Sequence, residues 1–90
     1  MTDILFTEYM VYRIRQRRYL RDRIETILRY GSERYCDNET GRKIAVGTHE
    51  GRLVLIPYEE TETSIVPVTV HATTRQQIRS RLMTSRFIHE

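Results

Sequence analysis

The segment RKIAVGTHEGRLVLIPY, residues 42–58, predicts a β-hairpin at the centre of the fold. Its first half alternates between the two faces in the manner of a half-buried strand. The Glu50-Gly51 pair supplies a two-residue loop, because glycine accommodates the positive φ that a primed turn requires. This turn sets the register, with His49 opposite Arg52, Gly47 opposite Val54, Ala45 opposite Ile56 and Lys43 opposite Tyr58.

The register divides the side chains of the hairpin between two faces. The face that we expect to receive the helices carries the larger apolar residues Ile44, Val46, Leu53 and Leu55. The opposite face carries the polar and aromatic residues Lys43, His49, Arg52 and Tyr58. Two small residues, Ala45 and Gly47, lie at the centre of this second face. They predict a shallow, open floor between polar groups.

Helical periodicity appears before and after the hairpin. After a Thr7 cap the first helix carries Phe6, Met10 and Ile14 at helical spacing, and the second repeats the pattern with Leu20, Ile24, Ile27 and Leu28. Gly31 is expected to end the second helix in the left-handed conformation. A capping box formed by Thr74 and Gln77 opens a last helix that reaches about Arg86.

Two further strands are predicted, one over residues 30–37 and one over residues 64–72. In the second, one face carries Val66, Val68 and Val70 and the other carries Pro67, Thr69 and His71. Prolines 57 and 67 lack the N–H that a ladder needs, so they predict edges, bulges or strand ends. The predicted fold is a single α+β domain, residues 1–90, with two N-terminal helices, a four-stranded antiparallel meander and a C-terminal helix.

The composition favours an anionic partner. The net charge is +3 and Lys43 is the only lysine, so the basic groups are almost all arginines, which pair bidentately with phosphate and carboxylate. They cluster early, at Arg13, Arg15, Arg17, Arg18, Arg21 and Arg23, and late, at Arg75, Arg79, Arg81 and Arg86. A solvated helical surface explains the same pattern equally well.

Several classes of function are disfavoured. The single cysteine, Cys36, allows no intrachain disulfide and no multi-cysteine zinc site. The histidines lack metal-ligand spacing, and there is no glycine-rich phosphate loop, so we expect neither a metal nor a cofactor. The chain shows no signal peptide and no apolar run near the ~20 residues of a membrane span. A cytoplasmic protein without membrane association is expected.

The predicted polar face suggests metal-independent ribonuclease chemistry. Cleavage of RNA by its own 2′-hydroxyl needs a base, an acid and cations that stabilise the phosphorane. The candidate catalytic residues are His71 and Tyr58 for proton transfer and Lys43 and Arg75 for charge. The candidate substrate-binding residues are Arg13, Arg17, Arg52, Thr69, Thr74 and Arg79. Alternatively, His71 is a strand-end histidine bonded to the backbone, Tyr58 a half-buried strand residue and Lys43 a solvated charge.

Three tyrosines, Tyr9, Tyr12 and Tyr19, interleave with the arginines of the first segment. Aromatic side chains among arginines can stack on the bases of a nucleic acid. Aromatic residues at helical spacing more often pack in or beside a core. We expect packing for these three.

Three segments carry a family resemblance: residues 35–47 (YCDNETGRKIAVG), 53–59 (LVLIPYE) and 69–77 (TVHATTRQQ). With the helical start FTEYM, residues 6–10, they resemble small bacterial proteins, frequent in cyanobacteria, that are known only as a domain of unknown function. The order of elements and the Ala-Thr-Thr-Arg motif are more distantly similar to BrnT and RelE type toxins. That similarity implies mRNA cleavage and neutralisation by a cognate antitoxin protein.

The resemblance carries over His71, Thr74 and Arg75, which match the terminal motif of the family. Lys43 and Tyr58 are inferred only from the predicted face. Many relatives place a histidine and an alanine where this chain has Tyr9-Met10, so an activity that depends on that histidine would be absent here.

Two hypotheses follow. The first is a toxin-like endoribonuclease of a toxin–antitoxin module, and it requires that Lys43, Tyr58 and His71 share one face within reach of a common phosphate. The alternative is a non-catalytic module that binds RNA or a protein through its arginine-rich helices.

Overall fold

The predicted hairpin lies at the centre of a mixed sheet in the computed structural model, which describes residues 2–90. The helices are α1 (Glu8–Arg17), α2 (Arg21–Tyr30) and α3 (Arg75–Met83). The strands are β1 (Asp3–Ile4), β2 (Glu33–Asp37), β3 (Lys43–His49), β4 (Arg52–Glu60), β5 (Ser64–Pro67), β6 (His71–Ala72) and β7 (Phe87–His89). The protein is therefore α+β. None of the helices within residues 2–90 is long and apolar enough to cross a membrane.

The sheet is larger than predicted. Its order is β1-β5-β4-β3-β2-β7, and β6 pairs with β4 beyond the end of β5. The two outer strands are not predicted, and β1 pairs with β5 in parallel, which makes the sheet mixed rather than antiparallel. These strands have only two and three residues, too few for any periodicity to be recognised.

The register of the central hairpin is confirmed. All four predicted pairs are present, from His49 opposite Arg52 to Lys43 opposite Tyr58. Glu50 has φ 49° and Gly51 has φ 81°, the two positive values of a primed turn. The local turn chemistry therefore decides the pairing of the two longest strands.

The predicted position of the first two helices is wrong. Helices α1 and α2 pack on the face that contains Ala45 and Gly47, not on the face with the larger apolar residues. A Cβ atom at Gly47 would lie 2.7 Å from Cγ1 of Ile27, so α2 rests almost directly on the strand. The buried residues of this layer are Met10, Ile14, Ile24, Ile27, Leu28, Ala45, Val54, Ile56, Tyr58, Ile65 and Val70. The small residues Ala45 and Gly47 therefore allow a helix to pack closely on this face, and the face is not open.

The other face of the sheet is also covered. Ile78 of α3 and Phe87 of β7 pack there against buried hairpin residues. The buried residues of this second layer are Tyr35, Ile44, Val46, Leu55, Ile78 and Phe87. Since both faces are buried, the alternation of the hairpin does not by itself indicate which helix covers which face.

A bulge interrupts the last predicted strand. Pro67 lies opposite Tyr58 and His71 opposite Leu55, so four steps along this strand match three along β4. The extra residue reverses the alternation beyond Pro67. Val70 is consequently buried beneath α1 and α2, while His71 shares the α3 side with Leu55. The proline expectation is met, since Pro67 ends β5 and the carbonyl of Pro57 accepts the Val68 N–H of the bulge at 2.8 Å.

The two threonine caps are present, but α3 ends at Met83 and not near Arg86 as predicted. The hydroxyls of Thr7 and Thr74 accept backbone N–H groups of α1 and α3, each at 3.1 Å, as predicted. Gly31 ends α2 but has φ −63°, so it is not left-handed. A Cβ there would lie 2.6 Å from the Ile27 carbonyl oxygen, which explains the glycine by close approach.

The start of α2 is held by a distant side chain. Nε2 of the buried residue His49 accepts the Leu20 N–H at 2.9 Å, and its ring meets that of Tyr19 edge-on at 5.0 Å. The predicted polar-face residue His49 is thereby used to join the hairpin to the helical layer.

Candidate functional site

The predicted catalytic set is not brought together. Tyr58 is 2% exposed beneath α1 and α2, whereas His71 lies on the α3 side of the sheet. The bulge after Pro67 causes this separation, because it moves His71 to the face opposite Tyr58. The predicted common face for Lys43, Tyr58 and His71 is therefore wrong.

Lys43 is neutralised by two carboxylates. Its Nζ lies 2.8 Å from Oε1 of Glu60 and 3.2 Å from Oε1 of Glu90. These hydrogen bonds, first Glu60 and then Glu90, raise the pKa of Lys43. Because both carboxylates compensate its positive charge, this lysine is poorly available to bind a phosphate.

Arg75 is similarly engaged. Its Nη1 lies 2.6 Å from Oε2 of Glu33, and the Tyr35 hydroxyl donates to the same oxygen at 2.6 Å. The Arg75 hydrogen bond lowers the pKa of Glu33, and burial together with the Glu33 carboxylate raises the pKa of Tyr35 to about 12. This group braces α3 against β2 and does not contact His71.

The predicted binding residues separate into three groups. The Thr74 hydroxyl caps α3, and Arg79 is exposed on the same helix without a side-chain hydrogen bond or ion pair among residues 2–90. Arg17 and Arg52 line a depression of about 440 Å³ together with Arg18, Tyr19, His49 and Glu50. Arg13 and Thr69, in contrast, lie beside His71.

The structure assembles a different site around His71. A cleft of about 250 Å³ opens between α3 and the β4–β6 edge of the sheet. Its polar lining consists of Asp37, Thr40, Arg42, Thr69, His71, Arg81 and Arg86. Arg13 of α1 reaches its rim, where Nη2 lies 3.4 Å from Nδ1 of His71. We call these eight residues the cationic cleft.

The electrostatics of the cationic cleft centre on His71. Burial lowers the pKa of His71, and the positive charges of Arg13, Arg17 and Arg81 lower it further. The imidazole is therefore neutral at neutral pH and can accept a proton or a hydrogen bond. It is surrounded by cations contributed by both α1 and α3.

The arginines of the cleft differ in their partners. Arg86 is paired with Asp37, and Nε of Arg42 lies 4.0 Å from Oε1 of Glu59. Within residues 2–90, Arg13 and Arg81 form no ion pair with a carboxylate. The guanidinium of Arg81 instead stands 5.5 Å from the ring centroid of Phe87. Two guanidinium groups without carboxylate partners therefore belong to the same cleft as His71.

Three polar atoms around the cleft are buried and lack hydrogen-bond partners among the described residues. They are Nε of Arg13, Nε of Arg42 and Oγ1 of Thr69. Buried donors of this kind are costly unless something satisfies them. All three can donate to an oxyanion, which is the chemistry that the surrounding arginines also favour.

Sequence reasoning missed Arg42, Arg81 and Arg86 as members of this site. Arg81 follows the buried Ile78 by three positions, so helical spacing alone indicates that it lies close to the packed side of α3. Arg42 and Arg86 flank β3 and β7, and no local pattern relates them. Among residues 2–90, no three His, Cys, Asp or Glu side chains are grouped so as to hold a metal ion.

The fold and the cleft define an α+β protein with an arginine-lined cleft between α3 and a mixed sheet. Comparisons with protein families, curated proteins and solved structures found no match to this chain. The function is therefore inferred from the geometry.

Proposed function

We propose that the protein is a non-catalytic module that binds RNA by holding phosphate groups in the cationic cleft. The observation that carries the proposal is that Arg13 contacts His71 and Arg81 lines the same cleft, both without carboxylate partners among residues 2–90. Guanidinium groups match the geometry of phosphate oxygens, and the unpartnered Thr69 hydroxyl adds a neutral donor.

A polyanion fits the site better than a single small anion. Arg17, one helical turn after Arg13 on α1, lines the neighbouring depression with Arg52. The basic surface thus extends from one concavity to the next, and a nucleic acid backbone offers phosphates at repeated intervals along such a path. We expect the protein to be cytoplasmic, where it would encounter RNA.

Replacing both free arginines, Arg13→Gln with Arg81→Gln, is expected to weaken binding of a single-stranded RNA by roughly tenfold or more at moderate salt. Each lost phosphate contact also reduces the slope of log K against log salt by about 0.7, so the double variant should lose about 1.4. Fluorescence anisotropy over a salt series measures both quantities.

The matched control removes the same charge elsewhere. Arg23→Gln with Arg29→Gln changes two arginines of α2, on the other side of the sheet from α3. The control should retain most of the affinity and the slope. If both double variants lost affinity equally, the effect would be one of net charge alone. The cleft would then not be the binding site.

The second candidate function is cleavage of the bound RNA, and the state of His71 favours it. A neutral imidazole can take the proton of a 2′-hydroxyl while Arg13 and Arg81 stabilise the phosphorane; the P–O5′ bond then breaks, water protonates the leaving 5′-oxygen, and a 2′,3′-cyclic phosphate remains. The order of helices, hairpin and terminal helix also resembles the BrnT and RelE toxins. In that case the protein is a toxin-like endoribonuclease, and a cognate antitoxin protein is its partner.

This candidate predicts a strict dependence on His71. His71→Gln should reduce cleavage of an RNA oligonucleotide by about 10²-fold or more. The wild-type rate should rise with pH through the His71 pKa, below about 6.5, because the base acts when neutral. An oligonucleotide with a single 2′-deoxy position should be spared at that position. Cleavage that His71→Gln leaves unchanged would argue for a contaminating nuclease and against this candidate.

A further inference from the structure

The outer face of α1 carries two tyrosines that the core does not use. Tyr9 and Tyr12 are 55% and 59% exposed, and their ring centroids lie 6.5 Å apart at an angle of 40°. The packing expected from the sequence is wrong for this pair, although Tyr19 does pack against the core and the His49 ring. An exposed aromatic pair on a charged helix needs another explanation.

The tyrosine pair is continuous with the cationic cleft. Tyr9, Arg13 and Arg17 follow one another at four-residue spacing and therefore lie along one side of α1. Tyr12 adjoins this row through Tyr9, which precedes it by three residues and whose ring centroid lies 6.5 Å away. Since Nη2 of Arg13 is 3.4 Å from Nδ1 of His71, Arg13 connects the aromatic rings to the cleft.

The surrounding charge indicates what covers these rings. Helix α1 has one acid, Glu8, against three arginines, and Arg18 follows its last residue. A positive field around exposed rings favours a partner with negative charge and flat apolar groups. Single-stranded nucleic acid has both, because phosphates meet the arginines and every base offers a π-face for stacking.

We infer that the ligand is single-stranded RNA whose bases stack on Tyr9 and Tyr12 while the adjoining phosphates enter the cationic cleft through Arg13. This inference rests on the proposed function and specifies its ligand. A duplex is excluded from this mode, because its bases are paired and stacked inside the helix and present no free face to the tyrosines. The structure therefore assigns Tyr9 and Tyr12 as the residues that select single strands.

The test uses three probes of equal length. They are a fluorescently labelled oligouridylate, the same ribose-phosphate chain without bases, and an RNA duplex. Tyr9→Ala with Tyr12→Ala should weaken binding of the oligouridylate about tenfold or more, since stacking contributes to every contacted base. The baseless chain, held by the arginines alone, should bind wild type and the variant equally.

The controls separate stacking from other effects. Tyr30 is 80% exposed at the end of α2, so Tyr30→Ala removes a similar ring at another place and should leave affinity unchanged. Tyr9→Phe with Tyr12→Phe keeps the rings and should retain binding. Circular dichroism is expected to show unchanged folding for all variants, because the three side chains lie at the surface.

The outcomes for this inference and for the proposed function are distinguishable. If the tyrosine double variant binds the oligouridylate like wild type, or if the duplex binds as tightly as the single strand, the stacking inference is overturned. Arginine-dependent binding would then still support the RNA-binding function. If the variants of Arg13 and Arg81 also leave RNA affinity unchanged, both the stacking inference and the proposed function are overturned.

Discussion

Gly47→Val is expected to cost about 2–3 kcal/mol of unfolding free energy, a large part of the stability of a domain of this size. The reason is the contact between β3 and α2. A Cβ atom at position 47 would already lie 2.7 and 2.8 Å from Cγ1 and Cγ2 of Ile27, so valine would have to push the helix off the sheet. Urea denaturation followed by circular dichroism measures the loss.

Two further variants test whether this overlap is the cause. Thr48→Val introduces the same β-branched side chain at the exposed neighbouring position and should change stability by no more than about 0.5 kcal/mol. Ile27→Ala removes the atoms that the new side chain meets. The double variant of Gly47 and Ile27 should then be more stable than the sum of the single effects by about 1 kcal/mol or more. Additive effects would contradict the close approach.

Asp37→Asn is expected to cost about 1–3 kcal/mol at neutral pH. The Asp37 carboxylate is 4% exposed; it accepts the Glu39 N–H at 2.9 Å and faces two Arg86 nitrogens at 3.4 Å. Burial by itself raises the pKa of Asp37, but these hydrogen bonds outweigh it, and the net pKa is lowered. Asparagine keeps the shape and loses the charge that faces Arg86.

The pH dependence gives the sign of this effect. A carboxyl group whose pKa is lower in the folded state stabilises the protein above its unfolded pKa, near 3.9, and loses that contribution as the pH falls through the folded value. The difference in stability between wild type and Asp37→Asn should therefore be present at pH 7 and disappear in acid. Thermal denaturation from pH 7 to pH 2 measures it.

Glu39, which pairs with the same Arg86, provides a matched control variant. Oε2 of Glu39 is 3.3 Å from Nε of Arg86, but the Glu39 side chain is 68% exposed. Glu39→Gln should cost less than about 0.5 kcal/mol, because an exposed ion pair contributes little. If Glu39→Gln were as damaging as Asp37→Asn, the buried position of Asp37 would not be the source of its effect.

These stability effects bear on the binding site. Asp37 holds Arg86 at the wall of the cationic cleft, and Gly47 lets α2 rest on the sheet below α1. Gly47 lies outside the cleft, so RNA affinity should fall with Gly47→Val only to the extent that the protein unfolds, whereas Arg13 and Arg81 variants should change affinity without changing stability. The two kinds of measurement therefore separate the scaffold from the site.

The site was predicted only in part. Arg13, Arg17, Thr69 and His71 were recognised from residue type and do lie near one another. The choice of Tyr58 and Lys43 rests on unbroken alternation, and that of Arg75 on the helical turn after His71 and on the family resemblance. Each has a structural partner instead: the core, two glutamates and Glu33. Arg81 comes from another element, and its approach to His71 depends on how α3 packs.

The amino-acid sequence by itself determined the hairpin, because the Glu50-Gly51 turn chemistry and the pairing that follows from it are local. It also determined the capped starts of α1 and α3, where a threonine hydroxyl meets a backbone N–H three residues away. Only the tertiary structure decided which face of the hairpin α2 covers and on which face of the sheet the bulge after Pro67 places His71. Both depend on packing between distant segments, and the cationic cleft depends on both.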